Sequence, residues 1–142
     1  MSEEQINLLH IEDDSIDRMV VQRVLKKFPV VANLYQAANG EEALEMLRAE
    51  NGKSPLSPYP NIILVDINMP RMNGIEFLKE LRADKQLKHL AVFILTTSND
   101  ESDKKEAHTF NVAGYIIKPV DLSVFEATFR TLTDYWQICE LN

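Results

Sequence analysis

Asn61-Ile62-Ile63-Leu64-Val65-Asp66 is an unbroken apolar run closed by an acid. A run without polar alternation is the pattern of a central parallel strand, buried on both faces. Parallel strands require crossover connections, so helical segments are expected on both sides of it in the chain. Upstream, Ile6 to Ile11 reads as a first strand, stopped by Glu12-Asp13-Asp14. Asp14 or Ser15 can cap a helix in which Met19, Val20, Val24 and Leu25 recur up to Phe28, with Pro29 closing it. Val30 to Ala38 reads as a second strand, broken at Asn39-Gly40. Ala43, Leu44 and Leu47 mark a second helix that ends near Asn51-Gly52. Residues 51–60 hold three of the six prolines and read as a surface loop. Downstream, Ile75 to Leu81 is helical, Ala91 to Leu95 is a buried strand and Asp100 to Asn111 a polar helix. Gly114 to Ile117 is a short strand, and a last helix starts after Asp121 and runs toward Trp136. Five strand–helix repeats predict an α/β fold, a five-stranded parallel sheet with helices on both faces.

Composition agrees with that class. The chain has 142 residues, 45% of them hydrophobic and 26% charged, within the ordinary globular range. This predicts one domain over 1–142, with a core at about 6–137 and an aromatic tail at 135–142. Lys and Arg number 15 against 22 Asp and Glu, a net charge of −7, which argues against nonspecific nucleic-acid binding. One cysteine excludes an internal disulfide framework and a multi-cysteine zinc site, and fits a reducing, cytoplasmic setting. No apolar run approaches the roughly 20 residues of a membrane helix. The acidic start, Met1 to Gln5, does not read as a signal peptide.

In open parallel sheets the chemistry gathers beyond the carboxyl ends of the strands. The residues leaving those ends are Glu12, Asp13 and Asp14, then Asp66, Thr96 and Lys118. Taken singly, each has a plain structural role: an aspartate caps a helix, a threonine favours strands, a lysine is solvated. Asp14 and Asp17 are read that way, as capping or surface charge. The others form a constellation. Clustered carboxylates repel and raise each other's pKa unless a cation neutralises them. Hard oxygen ligands suit a divalent cation, Mg²⁺ in a cell. A lysine and a hydroxyl beside them provide what a transferred phosphoryl group needs, and Asp66 is a natural nucleophile for an acyl phosphate.

The pair Glu12-Asp13, the segment Asp66-Ile67-Asn68-Met69-Pro70-Arg71-Met72-Asn73-Gly74, Thr96, and Tyr115-Ile116-Ile117-Lys118-Pro119 together resemble the receiver domain of two-component response regulators. The resemblance implies a doubly wound, flavodoxin-like sheet of strand order 2-1-3-4-5 with five helices. It implies that Asp66 accepts a phosphoryl group from a sensor histidine kinase, with Mg²⁺ as cofactor. Asp13, Asp66 and the backbone carbonyl of Asn68 would hold the metal, and Glu12 would act mainly through a metal-bound water. Lys118 would pair with the phosphoryl group and Asp66. Thr96 would swing to the phosphoryl group, Tyr115 would follow it, and Thr97 is small enough to leave the group accessible. Pro119 is a candidate for a cis peptide bond. Asn68 and Ser98 would flank the attacking water and tune the rate of dephosphorylation.

Two other readings compete. A haloacid-dehalogenase-type phosphatase also forms an aspartyl phosphate, but it needs a second Asp two residues on, where this chain has Asn68. A receiver that is never phosphorylated could serve as a docking module, although the complete site argues against it. Little sequence follows the last helix, so output is expected to run through the receiver's own surface to a downstream protein target rather than through turnover of a substrate. The final helix carries Leu122, Phe125, Phe129, Leu132, Trp136 and Cys139 at alternating spacings of three and four, a stripe assigned to the core as far as Leu132. The insert and the Tyr135-Trp136 tail are similar to the small single-domain regulators that pair with bacterial phytochromes and related sensor kinases. In that group homodimers form through the fourth helix, fifth strand and fifth helix. His10 is expected to be packed and hydrogen-bonded within the first strand.

Overall fold

The computed structural model describes residues 5–119 and 121–139. Ten elements alternate along the chain: β1 (Ile6–Ile11), α1 (Ser15–Leu25), β2 (Val31–Ala37), α2 (Gly40–Arg48) and β3 (Ile62–Val65) come first. They are followed by α3 (Gly74–Ala83), β4 (Ala91–Thr96), α4 (Glu101–Thr109), β5 (Gly114–Ile117) and α5 (Leu122–Ile138). The strands form one sheet in the order β2-β1-β3-β4-β5, and every neighbouring pair is parallel. This is the expected doubly wound arrangement, and the order reverses between β1 and β3.

The period of two along each strand sends alternate residues to opposite faces. Leu9, Ile11, Ile63, Val65, Val92 and Ile94 pack on one face against α2, α3 and Ala107 of α4. Leu8, Ile62, Leu64, Phe93 and Leu95 pack on the other against α1 and α5. All four residues of β3 are buried, which is why that strand reads as a continuous apolar run.

The helix boundaries are chemical. Asp14, Asn39, Asn73, Asp100 and Asp121 each cap a helix by accepting backbone N–H bonds. Glu76 reaches back to the Asn73 backbone and completes a capping box at α3. Helix α1 stops at Leu25 instead of Phe28, because the chain tightens and the N–H groups of Lys27 and Phe28 bond only three residues back. Met19 is exposed and Val21 takes the core position, since Val21, Val24 and Leu25 share the sheet-facing stripe.

The stripe on α5 also differs from the sequence reading. Phe125, Phe129, Thr133 and Trp136 are buried, whereas Leu122, at the helix start beyond the end of β5, is 61% exposed. Trp136 belongs to the core and meets Phe93 edge-on at 5.4 Å. The tail therefore folds inward at Trp136, while Tyr135 and Ile138 face out. The remainder of the expected tail, 140–142, lies outside the described residues. Residues 51–60 form a loop, as expected. Tyr35 donates its hydroxyl proton to the Pro58 carbonyl at 2.8 Å, and Tyr59 does so to Leu47 at 2.7 Å.

Candidate functional site

Three backbone hydrogen bonds build the site. Glu12 N–H donates to the Ala37 carbonyl at 3.0 Å, Asp66 N–H to Ile11 at 3.1 Å, and Lys118 N–H to Thr96 at 2.7 Å. Each of these residues stands one step past the end of its strand, yet its backbone is still held by the neighbouring strand. The side chains thus leave the sheet edge from fixed positions, at the carboxyl ends where the strand order reverses.

Carboxylate oxygens of Glu12, Asp13 and Asp66 lie within 4.8 Å of one another. Glu12 and Asp66 are buried and Asp13 is exposed. Lys118 faces this cluster with its side chain almost fully covered. Its ammonium donates to Glu12, to Asp17 at 2.8 Å and to Asp66 at 3.4 Å. Burial pushes the Glu12 carboxyl up to about 7; the Lys118 hydrogen bond opposes the rise and the Asp66 charge adds to it. Burial alone lowers Lys118, but the hydrogen bonds to Asp17 and Glu12 and the charge of Asp66 outweigh it, so the lysine ends above its ordinary value. The donor set fits a divalent cation: three oxygen ligands converge, one open to solvent, and burial, with the Asp66 charge added, destabilises the ionised state of Glu12.

The backbone of the acidic pair is clamped from α1. Arg18 donates through Nη1 to the carbonyl of Glu12 at 2.6 Å and to that of Asp13 at 2.9 Å. Gln36 bridges the Arg18 carbonyl at 3.0 Å and the His10 Nδ1 at 3.3 Å. His10 is buried in β1, and burial, aided by the charges of Lys118 and Arg18, lowers it to about 3. A neutral histidine thus lies beneath the site.

On the other side, the Asn68 N–H donates to Asp66 Oδ1 at 3.3 Å. Thr96 is fully buried and its Oγ1 accepts from the Ser98 N–H at 3.2 Å. Tyr115 is half-buried and donates to the Ser98 carbonyl at 2.9 Å, and Ser98 Oγ donates to Asp103 at 2.7 Å. Thr97 is exposed and lines a cavity of about 360 Å³ with Asp17, Lys118, Pro119 and Leu122. Glu12, Asp13, Asp66 and Lys118 are therefore brought together. Thr96, Ser98 and Tyr115 form an adjoining chain of hydrogen bonds around the turn after β4.

Two points depart from the sequence reading. The Lys118–Pro119 peptide bond is trans; the cis bond among the described residues is Ser57–Pro58. An X–Pro bond favours trans by roughly 0.5–1 kcal/mol, and the three carboxylates already aim Lys118. Asp17, assigned to capping or surface charge, is instead a direct partner of Lys118. Asp14 does cap α1, accepting from Ile16 at 2.8 Å and from Asp17 at 3.3 Å.

The chain matches a response regulator receiver domain over residues 8–130. It is 32% identical over 129 residues to the response regulator Rcp1 of Synechocystis, covering 91% of this chain and 87% of that protein. Among solved structures it superposes on the phosphorylated cyanobacterial phytochrome response regulator RcpA with a TM-score of 0.88 at 29% identity, covering 96% and 98% of the two chains. The Mn²⁺-bound form of Rcp1 gives a TM-score of 0.82 at 28% identity, covering 96% and 99%. With an acidic cluster and a lysine at the switch point of a 2-1-3-4-5 sheet, the chain belongs to the response regulator receiver domain family.

Proposed function

We propose that Asp66 accepts a phosphoryl group from a sensor histidine kinase in a Mg²⁺-dependent reaction. The observation that carries this is the convergence of the Glu12, Asp13 and Asp66 carboxylates with the Lys118 ammonium at one sheet edge. Asp13, Asp66 and the Asn68 carbonyl would hold Mg²⁺, with Glu12 acting mainly through a metal-bound water, and the ion would supply neutralisation of the phosphoryl oxygens. An Asp66 carboxylate oxygen attacks phosphorus, and the donor's phosphorus–nitrogen bond breaks with its electron pair leaving on the donor. Lys118 donates a hydrogen bond to the transferred group. Thr96 leaves the Ser98 N–H for a phosphoryl oxygen, and Tyr115, bonded to the same turn, follows. Thr97 leaves the group accessible. Asn68 and Ser98 flank the path of the hydrolytic water and tune dephosphorylation.

Output then runs through the surface around Tyr115 to a protein target. Ile117, Val124, Tyr135 and Ile138 are exposed on β5 and α5, and Ile138 is 83% exposed. This apolar surface supports a homodimer through the α4–β5–α5 face. Likeness to a cyanobacterial phytochrome response regulator supports a phytochrome-like kinase as the phosphoryl source, and the setting on this reading is cytoplasmic. On this reading the chain modifies itself and is a regulator, not a turnover enzyme.

The test is incubation with phosphoramidate and Mg²⁺, followed by intact-mass measurement. Wild type gains one phosphoryl mass; Asp66→Asn and wild type in EDTA gain none. An unmodified wild type would instead support the docking-module reading. Light scattering with and without beryllofluoride tests the dimer, and a monomer in both states refutes it.

A further inference from the structure

The Lys118 ammonium has three hydrogens and faces three carboxylates: Glu12, Asp17 at 2.8 Å and Asp66 at 3.4 Å. Asp66 is the farthest of the three. Glu12 and Asp66 come from strand ends, whereas Asp17 comes from the first turn of α1, 101 residues away in sequence. The Asp17 side chain is 40% exposed against 8% for Lys118, so Asp17 forms the solvent side of the cage. Its own backbone is fixed, because its N–H is held by the Asp14 cap at 3.3 Å. A rigid helix therefore presents this carboxylate.

We propose that Asp17 is a positioning residue for Lys118. With Glu12 it holds two of the three ammonium hydrogens, so that the third is turned toward Asp66 and the phosphoryl group formed there. A lysine on its flexible four-carbon stem has no fixed donor direction of its own. Two anchors from separate elements, the end of β1 and the first turn of α1, supply one, and the longest of the three contacts is the one directed at the nucleophile. As the Asp66 oxygen bonds to phosphorus and the donor's leaving group departs with its electron pair, this third hydrogen bond passes to the transferred oxygens. Asp17 touches neither donor nor phosphoryl group and acts through Lys118 alone. The inference rests on Asp66 being the phosphoacceptor.

The test compares wild type, Asp17→Asn, Asp17→Glu, Lys118→Met and the double variant D17N/K118M for labelling by phosphoramidate at saturating Mg²⁺. D17N is expected to slow labelling about three- to tenfold, because misplacing a catalytic donor costs rate in that range or above. D17E is expected to restore most of the rate. In the K118M background D17N is expected to add nothing, and Mg²⁺ affinity by calorimetry is expected to match wild type within about twofold. A D17N rate equal to wild type overturns the proposal. So does equal slowing by D17N in both backgrounds, or a loss of Mg²⁺ affinity that parallels the loss of rate. If wild type itself is not labelled, the phosphoacceptor reading fails separately. Urea unfolding of the metal-free variants then decides the pairing. D17N is expected to shift the unfolding equilibrium constant at least about threefold more in the wild-type background than in K118M; equal shifts overturn it.

Discussion

Gly74→Ala is the substitution with the most direct structural consequence. Gly74 opens α3, and its N–H closes the loop after Asp66 by donating to the Ile67 carbonyl at 2.9 Å. A Cβ at this position would overlap the Asp66 carbonyl oxygen and lie 2.8 Å from the Ile67 Cα and 3.1 Å from the Asp66 carbonyl carbon. All three are backbone atoms, so no rotamer change relieves the clash. Overpacking costs about 1–3 kcal/mol where side chains can adjust, which puts this case near or above about 3 kcal/mol. That is a large share of a domain's total of roughly 5–15 kcal/mol. At roughly 2–4 °C per kcal/mol for a chain near this size, the midpoint should fall by about 6–12 °C. Circular dichroism melts in metal-free buffer measure it. The relief available is displacement of the Asp66–Ile67 backbone, so labelling by phosphoramidate should also drop well below wild type at a temperature where both are folded. Gly52→Ala is the control. Gly52 has φ +81° with nothing within 4 Å of a built Cβ, so it should lose only about 1–2 kcal/mol of backbone strain and keep its labelling rate. A G74A midpoint within about 2 °C of wild type would refute the steric reasoning.

Three further outcomes follow from the geometry. Glu12 is raised to about 7, so between pH 4.5 and 7 the folded chain holds more protons than the unfolded one; its contribution is full below pH 4.5 and is lost as pH rises through 7. His10, lowered to about 3, has the opposite sign: its contribution is present above pH 6.5 and is lost as pH falls toward 3. Between pH 4.5 and 6.5 the two slopes oppose each other, so in metal-free buffer Glu12→Gln should turn a nearly flat wild-type profile into stability that rises with pH over that range; urea titrations that match wild type in slope count against it. Arg18→Met keeps the apolar stem but removes both bonds to the Glu12 and Asp13 carbonyls, and should weaken Mg²⁺ affinity about tenfold by calorimetry. Trp136→Ala empties a fully buried site against Phe93 and should cost about 3–5 kcal/mol in urea unfolding, with Asp66 labelling retained below the midpoint.

The strands were readable because β3 and β4 are apolar throughout and end in polar groups, leaving little choice of boundary. Glu12, Asp66 and Lys118 were readable for the same reason, since a side chain one residue past a parallel strand must leave at the carboxyl edge. Asp17 was not. It lies in a helical first turn where acids are ordinary, and its contact with Lys118 joins residues 101 apart, which no local pattern encodes. Arg18 was hidden likewise, because its partners are backbone carbonyls whose positions depend on the folded loop. Leu122 and Met19 fit an apolar repeat in one dimension, yet helix phase and the end of the sheet put both in solvent. Pro119 shows the limit of inference from residue type, since the isomer at a Lys–Pro bond is set by its surroundings.

The edge-on contact of Trp136 with Phe93 also has a practical consequence. Trp136 is the chain's single tryptophan, and its indole is fully shielded from water. The protein therefore carries one indole, which can be excited apart from its four tyrosines, with no second indole to blur its emission. Phe93 lies in β4, three residues before Thr96. Repacking of β4 that accompanies a swing of Thr96 would thus be reported optically from inside the core, in real time and without an attached dye.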